Sequence, residues 1–336
     1  MSRHCVLHIG TEKTGTTSIQ VGFSEGRAAL DAQGVRYCRS LGVPAHRLLS
    51  VHAMNVQGAD DAFQNLHIVT QQDHTQFRQR LDEAFAAEIA EFPEAKLWII
   101  SSEHLHSRLK NIDQVRRVKA FLDPHFESIE VYIHLRPQID MAISLASTMA
   151  RIGGAVTPTY FEEITPSSPY YDYLGLYSTW AEVFFEQNLR CIAFRREPDF
   201  ARRLKDDYQL NLPDRVLDFR LNSALDVRVI ALVNAVAHND PKVRIPMDFL
   251  DELPVNERLS PGRGRAQEIQ AQFDTDNARL IERCRDLQPG DLTPDWSRYP
   301  IEGNLELLDV PCVFEAELAQ VLRRYNAALE RVKQKT

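Results

Sequence analysis

The chain has 336 residues, 44% of them hydrophobic, enough to bury a substantial core. Its 39 Lys and Arg face 47 Asp and Glu, a formal net charge of −8. That balance argues against binding nucleic acid by broad phosphate neutralisation, so any anion site must be a local cluster of donors. No stretch approaches the ~18 uninterrupted apolar residues of a membrane span. The opening "MSRHCVLHIG" runs straight into a strand-like stretch, so no signal peptide is expected. Cys5, Cys38, Cys191, Cys284 and Cys312 are scattered, with no C-x-x-C pair. They point to reduced thiols in a cytoplasmic protein rather than to a disulfide framework or a zinc site.

"HCVLHI" (4–9) is expected to be a short buried strand ended by Gly10. Ile19, Phe23, Gly26 and Leu30 then form an apolar stripe that predicts one helix. Residues 40–72 predict loop and short helices, and 74–91 a helix. "KLWIIS" (96–101) and "SIEVYIHL" (128–135) are further buried strands, the latter followed by a helix with Pro137 in its first turn. Three prolines mark 154–171 as a surface excursion. A helix is expected around Tyr173–Phe184, then the strand "LRCIAF" (189–194). Helices are expected near 198–208, 222–237, 264–286 and 314–332. Apolar strands alternating with helices predict an α/β chain: one domain over 1–336, a P-loop-like three-layer fold with a central parallel sheet flanked by helices, and a helical part over 222–336. Ligands in such sheets sit at the carboxyl ends of strands.

Three motifs fall at such ends. "IGTEKTGTTSIQ" (9–20) has the glycine spacing of a Walker A loop in Gly10 and Gly15, with Thr17 at the final hydroxyl. Thr16, however, follows the second glycine, and the lysine has moved back to Lys13. A glycine-bent loop before a helix offers backbone N–H groups to an anion, and Lys13, Thr14, Gly15, Thr16 and Thr17 are the candidate donors. The alternative is a tight strand–helix turn with a solvated lysine. In "VYIHLRPQIDMAISLAS" (131–147) a strand delivers Arg136, and Ser144 follows eight residues later on the helix; the alternative is a surface arginine and an exposed serine. In "WIISSEHLHSRL" (98–109) a strand ends and presents Glu103 and His104, each able to act as a base toward a hydroxyl. The alternative is that Glu103 is no more than a helix-start residue.

Together, "K-T-G-T-T" after the first strand and Arg136 with Ser144 after a later one resemble the sulfotransferases that use 3′-phosphoadenosine 5′-phosphosulfate (PAPS). The likeness is to bacterial, carbohydrate-sulfotransferase-like members. "YDYLGLYSTWAEVFFEQNLRCIAF" (171–194) and "IQAQFDTDNARLIERC" (269–284) look like their corresponding parts. The resemblance implies that Lys13, Thr14, Gly15, Thr16 and Thr17 hold the phosphosulfate, that Arg136 and Ser144 hold the 3′-phosphate, and that Glu103 or His104 is the base. "S-S-E" is similar to the glycan-modifying branches and favours Glu103, whereas His104 matches the "T-H-L" of the small-molecule branch. It further implies PAPS as co-substrate, 3′-phosphoadenosine 5′-phosphate (PAP) as product, no metal, and a hydroxyl acceptor on a carbohydrate or glycolipid, with no nucleic-acid partner.

Two rivals stand beside it: a P-loop kinase using ATP and Mg²⁺, and a non-catalytic nucleotide-binding protein of the same fold. His46, His52, the aromatic stretch 160–173 and the basic run "RLSPGRGR" (258–265) are weaker candidates for acceptor or donor contacts.

Overall fold

The computed structural model describes residues 2–195, 199–212, 214–217, 224–239, 245–309 and 324. In chain order, β1 is His4–His8, α1 Thr16–Glu25, α2 Arg27–Asp31 and β2 Val35–Tyr37. Then come α3 (Arg47–Ala53), α4 (Asp61–Asn65), α5 (Gln71–Glu91) and β3 (Leu97–Ser101). These are followed by α6 (His104–Arg108), α7 (Ile112–Leu122), β4 (Ser128–Leu135), α8 (Gln138–Arg151), α9 (Tyr173–Phe184) and β5 (Leu189–Ala193). The remaining helices are α10 (Asp199–Tyr208), α11 (Asp214–Leu217), α12 (Val227–Asn239), α13 (Met247–Asp251), α14 (Arg263–Ala271) and α15 (Asp274–Arg283). Apart from Arg324, the expected helix 314–332 lies outside the described residues.

The backbone forms two compact units. The first comprises the described residues of Met1–Arg136, Pro169–Leu221 and Thr275–Leu292; the second, those of Pro137–Ser168, Asn222–Asp274 and Thr293–Thr336.

The first unit holds a five-stranded parallel sheet in the order β2-β3-β1-β4-β5. The chain departs from β1 toward one edge and later returns to its other side. The gap beyond the carboxyl end of β1, between β3 and β4, is therefore the topological switch point where ligands bind in such sheets. Alternate residues of each strand serve opposite faces. Val6, Leu97, Ile99 and Tyr132 pack with Ile19 and Phe23 of α1, Leu30 of α2, and Phe200 and Leu204 of α10. Trp98, on the other face, packs edge-on against Phe85 of α5. Both faces are covered, so the strands are mostly apolar. This is the expected α/β arrangement of a central parallel sheet flanked by helices.

Several local features differ from expectation. The stripe 19–30 is broken at Gly26, whose N–H closes α1 on Gly22 O at 2.9 Å before α2 begins. β2 and the pair α6 and α7 are additional elements. The span 264–286 is two helices, because Gln272 and Phe273 interrupt it. Pro137 stands one residue before α8, at its N-cap.

In the second unit, α8 is capped through a side chain: Gln270 Oε1 accepts from Ile139 N at 3.1 Å while its amide donates to Gln138 Oε1 at 2.9 Å. Asp226, fully buried, accepts from the backbone N–H of Arg228, Asn256 and Glu257 at 2.8–2.9 Å. In the 154–171 excursion Tyr160 and Phe161 are buried, and Tyr160 donates to Ala142 O. Among the described residues no helix is long and apolar enough to cross a membrane.

Candidate active site

β1 ends at the centre of the sheet and its backbone pairing with β4 runs on past it. Ile9 N–H donates to Tyr132 O at 3.0 Å, His134 N–H to Gly10 O and Thr11 N–H to His134 O, both at 2.5 Å. Thr11 Oγ1 adds a bond to the same His134 carbonyl at 3.0 Å. So anchored, the loop turns through left-handed backbone at Gly10 (φ 84°), Lys13 (φ 65°) and Gly15 (φ 77°). For a lysine that conformation costs about 1 kcal/mol or more, and such outliers gather at functional sites.

Thr14 is buried and its hydroxyl donates to Thr11 O at 2.8 Å, so it stiffens the turn from within. Thr16 is buried and Thr17 exposed at the start of α1. Gly15, the N-cap, has no side chain to cap the helix. The positive end of a helix favours an anion, and together with the glycine-bent loop the residues present fit a phosphate or phosphosulfate group.

Arg136 follows β4 and is 8% exposed. Its Nη1 donates to Lys13 O at 3.0 Å, its guanidinium lies 5.1 Å from the Phe194 ring centre, and its own carbonyl accepts from Tyr173 OH at 2.8 Å. Lys13 and Arg136, read from separate motifs, are thus in contact. Ser144 lies partly exposed on α8, in the second unit.

Glu103 follows β3 and closes on the loop directly. A Cβ placed on Gly10 would lie 2.9 Å from Glu103 Cβ and 3.0 Å from its Cα. Only glycine lets the two strand ends approach so closely. Glu103 is the N-cap residue of α6, but its side chain makes no cap hydrogen bond. Its Oε2 instead accepts from Gln20 Nε2 of α1 at 2.7 Å. Gln20 is 2% exposed, and the same amide reaches Ser101 Oγ at 3.3 Å, which in turn meets His8 Nδ1 at 2.9 Å. Burial and the neighbouring His134 hold His8 well below the usual histidine range, so this chain of hydrogen bonds is neutral up to Glu103.

His104 is next to the base candidate but differently held. Its Nδ1 is buried without a hydrogen-bond partner. Burial lowers its pKa, Glu103 and Glu12 oppose the shift, and Arg47 and Arg108 add to it.

Sequence reasoning singled out neither Gln20 nor the charged group beside His104. Glu12, inside the loop, is lowered on balance: burial raises its pKa, while the Ser107 and Tyr170 hydroxyls, His106 and Arg108 outweigh that. Asp60 Oδ2 accepts from Arg47 Nη2 at 2.6 Å and from Arg108 Nε at 3.1 Å. Tyr170, from the aromatic stretch, has its ring 5.0 Å from that of His106. The signal in the sequence was faint: polar residues next to apolar stripes.

Among the weaker candidates, His46, His52, Arg263 and Arg265 have partners within the protein. His46 accepts Ser101 N–H at Nδ1 (2.7 Å) and meets Cys38 O through Nε2 (2.8 Å), and burial pulls its pKa down to about 4. His52 meets Asp82 Oδ1 at 3.1 Å. In 258–265, Arg263 donates to Tyr299 O through Nε and Nη2, and Arg265 pairs with Glu268.

No protein-family model and no curated protein matches this chain. In structure it is similar to a sulfotransferase from Alicyclobacillus acidocaldarius, at 15% identity over 89% of this chain and 100% of that one, with a TM-score of 0.45. It is also similar to the sulfotransferase domain from the curacin biosynthetic pathway, at 13% identity over 81% of this chain and 97% of that one, with a TM-score of 0.32. At this level neither likeness assigns an activity.

Proposed function

We propose that the chain is a PAPS-dependent sulfotransferase acting on a hydroxyl of a carbohydrate or glycolipid, in the cytoplasm. The observation that carries the reading is the contact between Gly10 and Glu103. It sets a candidate base directly against a candidate anion loop, which is the juxtaposition that transfer to a hydroxyl requires.

In this reading the loop amides from Lys13 to Thr17 and the end of α1 hold the phosphosulfate, and Arg136 takes the 3′-phosphate, a role for which the resemblance also names Ser144. The acceptor oxygen attacks sulfur, the bond from sulfur to the bridging oxygen breaks, and PAP leaves. Glu103 takes the acceptor's proton. Gln20 fixes the orientation of that carboxylate through its 2.7 Å bond. Negative charge grows on the bridging oxygen during transfer, and Lys13 stabilises it there. A Walker A kinase would place lysine after Gly15 to reach between the β- and γ-phosphates, and Thr16 occupies that position.

The test is PAP release from PAPS against a panel of glycans and glycolipids. Acceptor-dependent release is expected. Phosphoryl transfer from ATP with Mg²⁺ in place of it would replace this reading with the kinase.

A further inference from the structure

A cleft of about 350 Å³ opens where α9 turns into β5. Tyr177 of α9, Glu186 and Gln187 of the turn, Arg190 of β5, and Arg283 and Arg285 at the end of α15 line it. On a chain of net charge −8 this cavity is lined by three arginines and one glutamate.

Two of the three are held in place. Arg283 donates through Nε to Glu186 Oε1 at 3.1 Å and through Nη1 to Ser178 Oγ at 2.8 Å, and lies 5.1 Å from the Tyr177 ring centre. Arg190 donates through Nη2 to Glu130 Oε1 at 3.1 Å. No carboxylate pairs with Arg285 among the described residues. Guanidinium groups already fixed lose little freedom on binding, and their forked donors match tetrahedral oxyanions. Tyr177 stays a neutral donor, because burial, then Cys284 and Glu186, raises its pKa.

We propose that this cleft is a second anion site, taking the phosphate or sulfate ester group of a small molecule or glycan. It does not share the loop at Gly10–Thr17. Arg190 stands opposite Tyr132, and Tyr132 opposite His8, so the cleft lies two strands from β1 and at the start of β5 rather than past its carboxyl end. The inference stands whether or not the chain transfers sulfate.

The Arg Nε–Hε NMR signals report the site directly. Methyl phosphate and methyl sulfate are titrated against chloride at equal ionic strength, in the wild type and in Lys13→Ala, whose donor loop is weakened. Saturable shifts of the Arg283 and Arg285 signals, kept in Lys13→Ala, are expected. Arg285→Gln, which removes no ion pair among the described residues, should weaken binding about tenfold, as loss of a charge-assisted hydrogen bond demands. Tighter binding of methyl phosphate assigns a phosphate ester, and equal binding admits sulfate esters as well. Shifts that chloride reproduces, or an affinity unchanged in both Arg285→Gln and Arg283→Gln, would overturn the proposal.

Discussion

Gly10→Ala strikes the contact on which the functional reading depends. Gly10 has φ 84°, and forcing alanine into left-handed backbone costs about 1–2 kcal/mol. The new methyl would also sit 2.9 Å from Glu103 Cβ and 3.0 Å from Glu103 Cα, well inside the ~3.5–4.0 Å of a relaxed carbon contact. The backbone fixes both atoms and neither can rotate away, so the loop or the end of β3 must shift, at a cost of about 1–3 kcal/mol. Together the two effects predict a loss of about 2–5 kcal/mol in urea unfolding. Because the shift separates Glu103 from the loop by a fraction of an ångström or more, turnover should fall by up to about 10²-fold in the folded fraction. Gly58→Ala is the control: a Cβ there meets nothing within 4 Å. A Gly10→Ala protein as stable and as active as Gly58→Ala would refute the argued packing of loop against base.

Glu103→Gln keeps the shape and, with its amide turned, can still present an oxygen to Gln20, so kcat should drop roughly 10²-fold or more with donor affinity nearly unchanged; His104→Ala should cost far less, and the reverse order in steady-state kinetics would transfer the role to His104. Lys13→Ala should lower kcat by more than it raises the donor KM, since the charge it meets grows only during transfer; a normal kcat with weaker donor binding would leave the lysine an anchor. The fold should lose stability on acidification. His46 and His106 have folded pKa values of about 4, depressed chiefly by burial, so the unfolded chain binds more protons between about pH 6.5 and 4 and stability falls through that window. At pH 5 each would contribute a loss of about 2 kcal/mol relative to pH 7, and flat denaturation midpoints from pH 7 to 5 would contradict the buried neutral state.

The strands β1, β3, β4 and β5 were legible because burial on both faces keeps an unbroken apolar run in each, at 5–7, 97–100, 131–133 and 191–193. β2 was not, because its centre is Arg36, a charge that reads as surface. Arg36 is 1% exposed and is satisfied by Glu88 at 2.8 Å and Asp31 at 3.0 Å, partners that only the fold brings together. α7 hid for a related reason. Its buried side, Val115, Val118, Phe121 and Leu122, is interleaved with arginine and lysine, and its start depends on the Asn111 and Gln114 capping box. Of the site, the loop and Arg136 could be read because an anion demands glycine, hydroxyl and cation at fixed spacing along the chain. Glu103 could be named from its place after a strand. Its engagement with Gln20 and Gly10 could not, since that contact joins segments more than eighty residues apart. The roles of Ser144 and Arg258–Arg265 depend equally on where a loop or helix face comes to lie, which local pattern does not encode.

The central claim is a PAPS site, and the most direct measurement is ligand-induced stabilisation by PAP beside AMP and ATP with Mg²⁺. At 100 times its Kd a ligand that binds only the folded chain stabilises it by about 2.7 kcal/mol, which a melting experiment resolves easily. The account predicts a clear rise in Tm with PAP and much less with AMP or ATP–Mg²⁺, and a PAP effect reduced in Arg136→Ala. Equal stabilisation by ATP–Mg²⁺, or none by PAP, would contradict it.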